Sequence, residues 1–176
     1  MKNRVVVTGL GVCAPNGVGK EAFLKALQTG TSGITHFKEL AELNFSCQIA
    51  GKPNINDINL NNYFSNVQLK DLNSSRLVYG VILGVDAWKD AGLGKIAPDD
   101  KADWDSGIVF GTGILGVDKF KDSIYMLDAG KVRRLGSTSV VQTMASGISA
   151  YLGGIQVVVI RLLPILLHVV LEQKLL

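Results

Sequence analysis

Arg4-Val5-Val6-Val7-Thr8-Gly9-Leu10-Gly11 carries three β-branched residues directly into two glycines. Such a run reads as a buried strand entering a tight loop, because β-branched side chains suit a pleat covered on both faces. Pro15, Gly17 and Gly19 keep that loop irregular. A hundred positions on, Asp105-Ser106-Gly107 leads into Ile108-Val109-Phe110, a second predicted buried strand closed by Gly111-Thr112-Gly113. Between and after these runs the apolar period changes from strand to helix. Phe23, Leu24 and Leu27 fall at helical spacing over residues 20–28, with Gly30 as terminator. Leu77, Val78, Val81, Ile82, Val85 and Trp88 make a wide apolar helical face that Ser74 or Ser75 can cap and Asp90-Ala91-Gly92 ends. Further helices are predicted within 116–127 and over 138–151, the latter followed by Gly153-Gly154. Strand–loop–helix alternation predicts an α/β fold with a largely parallel sheet and helices on its faces. Residues 31–72, polar and Asn-rich, read as a surface excursion with one short strand near Cys47–Ala50.

The 176 residues are 47% apolar and 19% charged, and 18 basic against 15 acidic side chains leave a formal charge of +3. That excess is too small to argue for nucleic acid or a membrane surface as partner. Two cysteines, Cys13 and Cys47, cannot build a disulfide framework, and no Cys/His cluster has zinc spacing. The start lacks the apolar core of a signal peptide, so a cytoplasmic protein is expected.

Few local motifs suggest chemistry. Gly9-Leu10-Gly11-Val12-Cys13-Ala14 fits the dinucleotide pattern of glycines that admit a pyrophosphate at a helix N-terminus. Pro15-Asn16-Gly17 delays the helix, however, and no second strand ends in an acidic residue about 20 positions later, so the residues read as a glycine-lined crossover. Gly111 to Gly116 lacks the Lys-Ser/Thr ending of a P-loop, so its glycines serve close packing or passage of a substrate chain past Ile114. Cys13 and Cys47 have no nearby histidine and read as small buried hydrophobes, and His36 reads as exposed. Lys131, Arg133 and Arg134 form a basic cluster, a solvated turn or a contact for an acidic partner. No nucleophile–base pair stands out in residues 1–154.

Together these pieces resemble the N-terminal half of the β-ketoacyl-carrier-protein synthases, members of the thiolase-like superfamily. The opening strand with Ala14-Pro15-Asn16-Gly17, Ser32-Gly33-Ile34, Ala87 to Leu93, Gly107 to Gly116 and Met144-Ala145-Ser146-Gly147 occur in the family's order. The resemblance implies the N-terminal half of a layered α/β/α/β/α fold that dimerises. It also implies decarboxylative condensation of an acyl thioester with malonyl-carrier protein, in fatty-acid or polyketide synthesis. A cysteine at a helix N-terminus is acylated, where the helix dipole favours thiolate, and two histidines and a lysine assist decarboxylation. The partners implied are an acyl carrier protein bearing phosphopantetheine and a second copy of the chain. No cofactor, metal, nucleic acid or membrane is called for. By position, Ile114 matches the isoleucine gating the acyl tunnel, and Val132 and Leu135 lie where the partner subunit lends apolar residues to it. Arg133, Arg134 and Gly136 depart from the usual pattern there.

The composition breaks at one point. All 20 glycines lie at or before Gly154, while residues 155–176 hold no Gly, Ser, Thr, Asn or Asp. The family's nucleophilic cysteine belongs about 15 residues past Gly154, and the tail contains none. Shifting the codon frame by one base from Val157 admits C-G-N-Q-V-T-T-N-S-S-A-C-S-T-G-T-E-A, the family's strand and nucleophile elbow at the expected distance. Residues 1–154 therefore read as an incomplete β-ketoacyl synthase N-terminal domain and 155–176 as an out-of-frame apolar tail, in which His168 is no catalytic histidine. A membrane anchor is the rival reading, but Arg161, Pro164 and His168 interrupt the roughly 20 apolar residues that a span needs. As written, the chain lacks the nucleophile and both histidines and is expected to be inactive and poorly soluble. A non-catalytic binding or membrane-attached module and a nucleotide-binding domain remain as alternatives.

Overall fold

The computed structural model describes residues 4–94 and 106–156. The elements run β1 (Cys13–Ala14), β2 (Gly17–Val18), α1 (Lys20–Thr29), β3 (Ile34–His36), α2 (Lys38–Glu42), β4 (Ile49–Gly51), α3 (Asn66–Leu69), α4 (Ser75–Asp90), α5 (Val117–Asp128), α6 (Ser139–Thr143) and α7 (Gly147–Gln156). Two 3₁₀ turns, Leu60–Asn62 and Val132–Arg134, complete them. The chain divides into two compact units, one holding residues 4–70 and 78–94, the other 71–77 and 106–156.

In the first unit β1 and β2 form an antiparallel hairpin, Cys13 facing Val18 and Ala14 facing Gly17. Helix α1 follows at the expected place and stops at Gly30, whose φ of 66° is the left-handed conformation that ends helices cheaply only in glycine. Its buried residue is Ala26, with Leu24 and Leu27 exposed. The polar excursion carries a second antiparallel pair, Ile34 opposite Gly51 and His36 opposite Ile49, largely exposed. The dominant packing element is α4. Its predicted face is observed: Val78, Val81, Ile82 and Val85 are buried, each such side chain being worth about 1.5–3 kcal/mol on burial. Trp88 is half-buried and its indole N–H donates to the Gly94 carbonyl at 3.0 Å.

Both predicted core strands are corrected. Val5, Val6 and Val7 are 92%, 57% and 82% exposed and belong to no ladder, and Ile108–Phe110 is likewise unpaired, with Val109 exposed. Among the described residues the sheets are the two antiparallel pairs, not a parallel sheet. A β-branched run becomes a strand only where a neighbour meets its N–H and C=O groups, and no described residue does so. The glycines after the first run instead lie against α4: a Cβ at Gly9 would overlap the Ala87 carbonyl oxygen and one at Gly11 the Leu83 carbonyl oxygen, backbone that cannot rotate away. The crossover glycines thus serve close approach of this loop to α4.

In the second unit α5 matches expectation, whereas the helix predicted over 138–151 is two helices. Helix α6 ends at Met144, whose φ/ψ of −78°/142° is extended, and α7 restarts at Gly147. Beyond the break Gly147 packs so closely on α6 that a Cβ there would overlap the Val141 carbonyl oxygen. Helix α7 then passes through Gly153-Gly154, the expected stop, to Gln156. Leu77, Leu115, Ile148 and Leu152 are the buried apolar residues of this unit. No helix among the described residues is long and apolar enough to cross a membrane. The tail predicted to be out of frame lies, past Gln156, outside the described residues.

Candidate functional site

The second unit is organised by a strap of five polar residues on the approach to α4. Asp71 accepts hydrogen bonds from Lys119 Nζ at 2.8 Å and from the Thr138 hydroxyl, and its carbonyl accepts from Gln142 Nε2 at 2.8 Å. Gln142 Oε1 in turn accepts the backbone N–H of Asn73 at 3.1 Å and of Ser74 at 3.2 Å. Asn73 donates its side-chain amide to Asp122 at 2.8 Å. The first N–H of α4 is capped by Asp118 at 2.7 Å, not by Ser74, whose buried hydroxyl meets no partner among the described residues. Arg76 donates to the Ile114 carbonyl at 3.0 Å. Lys119 and Gln142 are 3% and 0% exposed, so their polar atoms depend on this network for the bonds water would give.

The carboxylates report the same arrangement. Burial would raise the Asp71 carboxyl, but the bonds from Lys119 and Thr138 bring it below the usual range. Asp118 behaves alike, burial being overcome by the Ser75 backbone and hydroxyl.

The strap ends at the Gly111–Gly116 loop. Thr112 Oγ1 also donates to the Ile114 carbonyl, at 3.2 Å. Leu115 points inward, 5% exposed, while Ile114 stands 60% exposed beside it. Gly116 holds the turn with φ of 64°, and a Cβ there would overlap the Gln142 carbonyl oxygen, so both conformation and space demand glycine. Val132 is 54% exposed on the 3₁₀ turn and Leu135 half-buried just after it. Ile114 thus precedes α5 and the other two follow it, and a 12-residue helix is about 18 Å long.

Around that second turn Gly130, Lys131, Val132, Arg133 and Arg134 line an open cleft of about 390 Å³. Lys131, Arg133 and Arg134 are exposed, and among the described residues no carboxylate lies within 4.0 Å of any of them.

The first unit holds the other candidates. Its glycine loop, with Lys20, Glu21, Asp86, Lys89 and Asp90, lines a cleft of about 310 Å³. Asp90 accepts the Leu10 backbone N–H at 3.0 Å and pairs with Lys20, so a protein carboxylate already takes a loop donor that a pyrophosphate would need. The crossover reading accounts for this loop. Burial and then the charge of Asp86 push the Cys13 thiol up to about 11, which keeps it protonated at neutral pH and a poor nucleophile. Tyr63 donates to the same Asp86 at 3.0 Å. Cys47, expected to be buried, is exposed, with Sγ 3.9 Å from the Ile49 carbonyl, because it lies in the surface loop that leads into β4. His36 is exposed as expected and 3.4 Å from Gln48. Among the described residues no group of three or more His, Cys, Asp or Glu side chains is placed to hold a metal ion. Sequence reasoning missed Asp71, Arg76, Lys119 and Gln142. A lysine and a glutamine on helices lined by valine and phenylalanine were the available signal.

The chain is similar to proteins of one kind. Its fold matches a β-ketoacyl synthase from Burkholderia phymatum with a TM-score of 0.71 at 19% identity, covering 91% of this chain and 38% of that one. It also matches a type II polyketide synthase acyl-carrier protein complex, that of a carrier with its ketosynthase bound to a hexaketide. There the TM-score is 0.59 at 22% identity over 87% of this chain and 40% of that one. In sequence it is 35% identical to 3-oxoacyl-[acyl-carrier-protein] synthase 2 of Vibrio harveyi over 117 residues, 66% of this chain and 27% of that enzyme. The chain therefore spans well under half the length of these relatives. The resemblance seen in the motifs and the thiolase-like fold class both hold. With the family model for the β-ketoacyl synthase N-terminal domain matching residues 2–156, this chain belongs to the β-ketoacyl synthase family.

Proposed function

We propose that this chain is the amino-terminal part of a cytoplasmic condensing enzyme of fatty-acid or polyketide synthesis. The family match across residues 2–156 carries the reading. In the reaction an acyl group passes from a carrier thioester to an enzyme cysteine, freeing the carrier thiol. Malonyl-carrier protein then loses carbon dioxide, and the resulting enolate carbon attacks the acyl carbonyl and expels the cysteine thiolate. Among the described residues no hydrogen-bonded nucleophile–base pair serves those bond changes: Cys13 is held protonated and Cys47 Sγ meets the Ile49 carbonyl. The chain alone is accordingly inactive, and its part is to shape the acyl site and meet the carrier.

Ile114 is the acyl-gating residue, supported by its outward side chain on a loop fixed at Leu115 and Gly116. Val132 and Leu135, at the far end of α5, are lent to the partner subunit's tunnel in a homodimer. Lys131, Arg133 and Arg134, which no carboxylate among the described residues pairs, meet the acidic carrier and its phosphopantetheine phosphate. The carrier complex formed by one structural relative supports that partner. The test uses the gene. The 176-residue chain should yield no β-ketoacyl product from acyl- and malonyl-carrier protein. The product of the shifted frame past codon 154 should, with Ile114→Phe shortening the acyl chains accepted. Bases that cannot spell a cysteine elbow, or unchanged chain length in Ile114→Phe, would overturn the assignment.

A further inference from the structure

We propose that Arg76 is a positioning residue that holds the Ile114 backbone, and hence its side chain, at the mouth of the acyl site. This rests on the reading of Ile114 as the acyl gate. The guanidinium is exposed, and among the described residues no carboxylate lies within 4.0 Å of it. Its hydrogen bond goes to a neutral carbonyl, that of Ile114, 38 residues away in sequence. A charge used in this way adds little charge pairing and supplies a fixed direction.

Its own position is over-determined. Asp71, Asn73, Ser74 and Ser75 are each bonded to α5 or α6 residues, so Arg76 leaves the strap from an anchored backbone. The loop it reaches is fixed on one side only. Leu115 is buried and Gly116 sits against Gln142, whereas on the other side Gly113 has open space around it and Val109 is exposed. The Ile114 carbonyl, taking bonds from Arg76 and Thr112, is the point where the loop changes from held to open. Removing the guanidinium leaves Thr112, itself part of the loop, as the remaining donor to that carbonyl. A donor that moves with the loop cannot anchor it.

The test compares the 176-residue chain with Arg76→Gln and Arg76→Lys by backbone ¹⁵N relaxation. In the parent, Gly113 to Leu115 should show order parameters near the rigid value of about 0.85, falling below about 0.6 in Arg76→Gln. Arg76→Lys, which keeps one charged donor, should recover part of the loss, and α5 and α6 should not change. Parent-like values in Arg76→Gln, or a loss spread over α5 and α6, would overturn the proposal. The gating reading fails separately: Ile114→Phe without effect on chain length removes the gate while leaving the Arg76 anchor intact.

Discussion

Two lysine–aspartate pairs occur in the described residues of this chain with opposite surroundings. Lys20 and Asp90, in the first unit, keep 47% and 29% of their side-chain surface exposed. Lys119 and Asp71, in the second, keep 4% and 34%. Water can replace either partner in the first pair, whereas Lys119, once unpaired, has only protein around it. The difference teaches that a charge pair matters to a fold through what remains when one partner is gone. Asp90 belongs with loop closure, since it also takes the Leu10 N–H. Asp71 belongs with the core, because Lys119, Thr138 and Gln142 all converge on it.

The sharpest way to break that comparison is Asp71→Ala. It takes the carboxylate from the Lys119 ammonium and releases the Thr138 hydroxyl, while the Asp71 backbone carbonyl keeps its bonds from Lys119 and Gln142, and should cost toward the low end of about 3–5 kcal/mol because Asp71 itself is a third exposed. Denaturant titration of the chain reads it, and a loss below about 1 kcal/mol would mean that water reaches Lys119 after all. A smaller effect appears on acidification. The Asp71 carboxyl lies below its unfolded value, so its contribution is full above about pH 4 and is lost as pH falls toward the folded pKa. Asp71→Asn should flatten the acid limb of stability at both low and high salt. The smallest effect belongs to Lys20→Ala, which should alter the midpoint of thermal unfolding little at low salt and not at all at high salt. A salt-independent loss there would put the exposed pair in the same class as the buried one.

What the sequence discloses follows from the range of the interactions. Helices α1, α4 and α5 were legible because their determinants lie within a turn or two: apolar spacing, Gly30 at one stop, Gly92 after another. The break at Met144 was not, since the close packing of Gly147 against the Val141 carbonyl shows only in the structure. The two valine-rich runs misled because β-branching states a preference for strand but cannot supply the neighbouring backbone. Ile114 was legible as a position in a family pattern, and the basic turn as a local cluster of Lys131, Arg133 and Arg134 that departs from that pattern. The strap was invisible, its bonds joining residues 38 to 71 apart in sequence.

One oxygen in that strap is left out. The Ser74 hydroxyl is fully enclosed, and among the described residues nothing accepts or donates to it, although its own backbone N–H is well served by Gln142. Four neighbours along the chain give and receive there, and this group gives up its hydration for nothing in return. Anyone seeking a hardier form of this protein would begin at that atom, where the native design has slack.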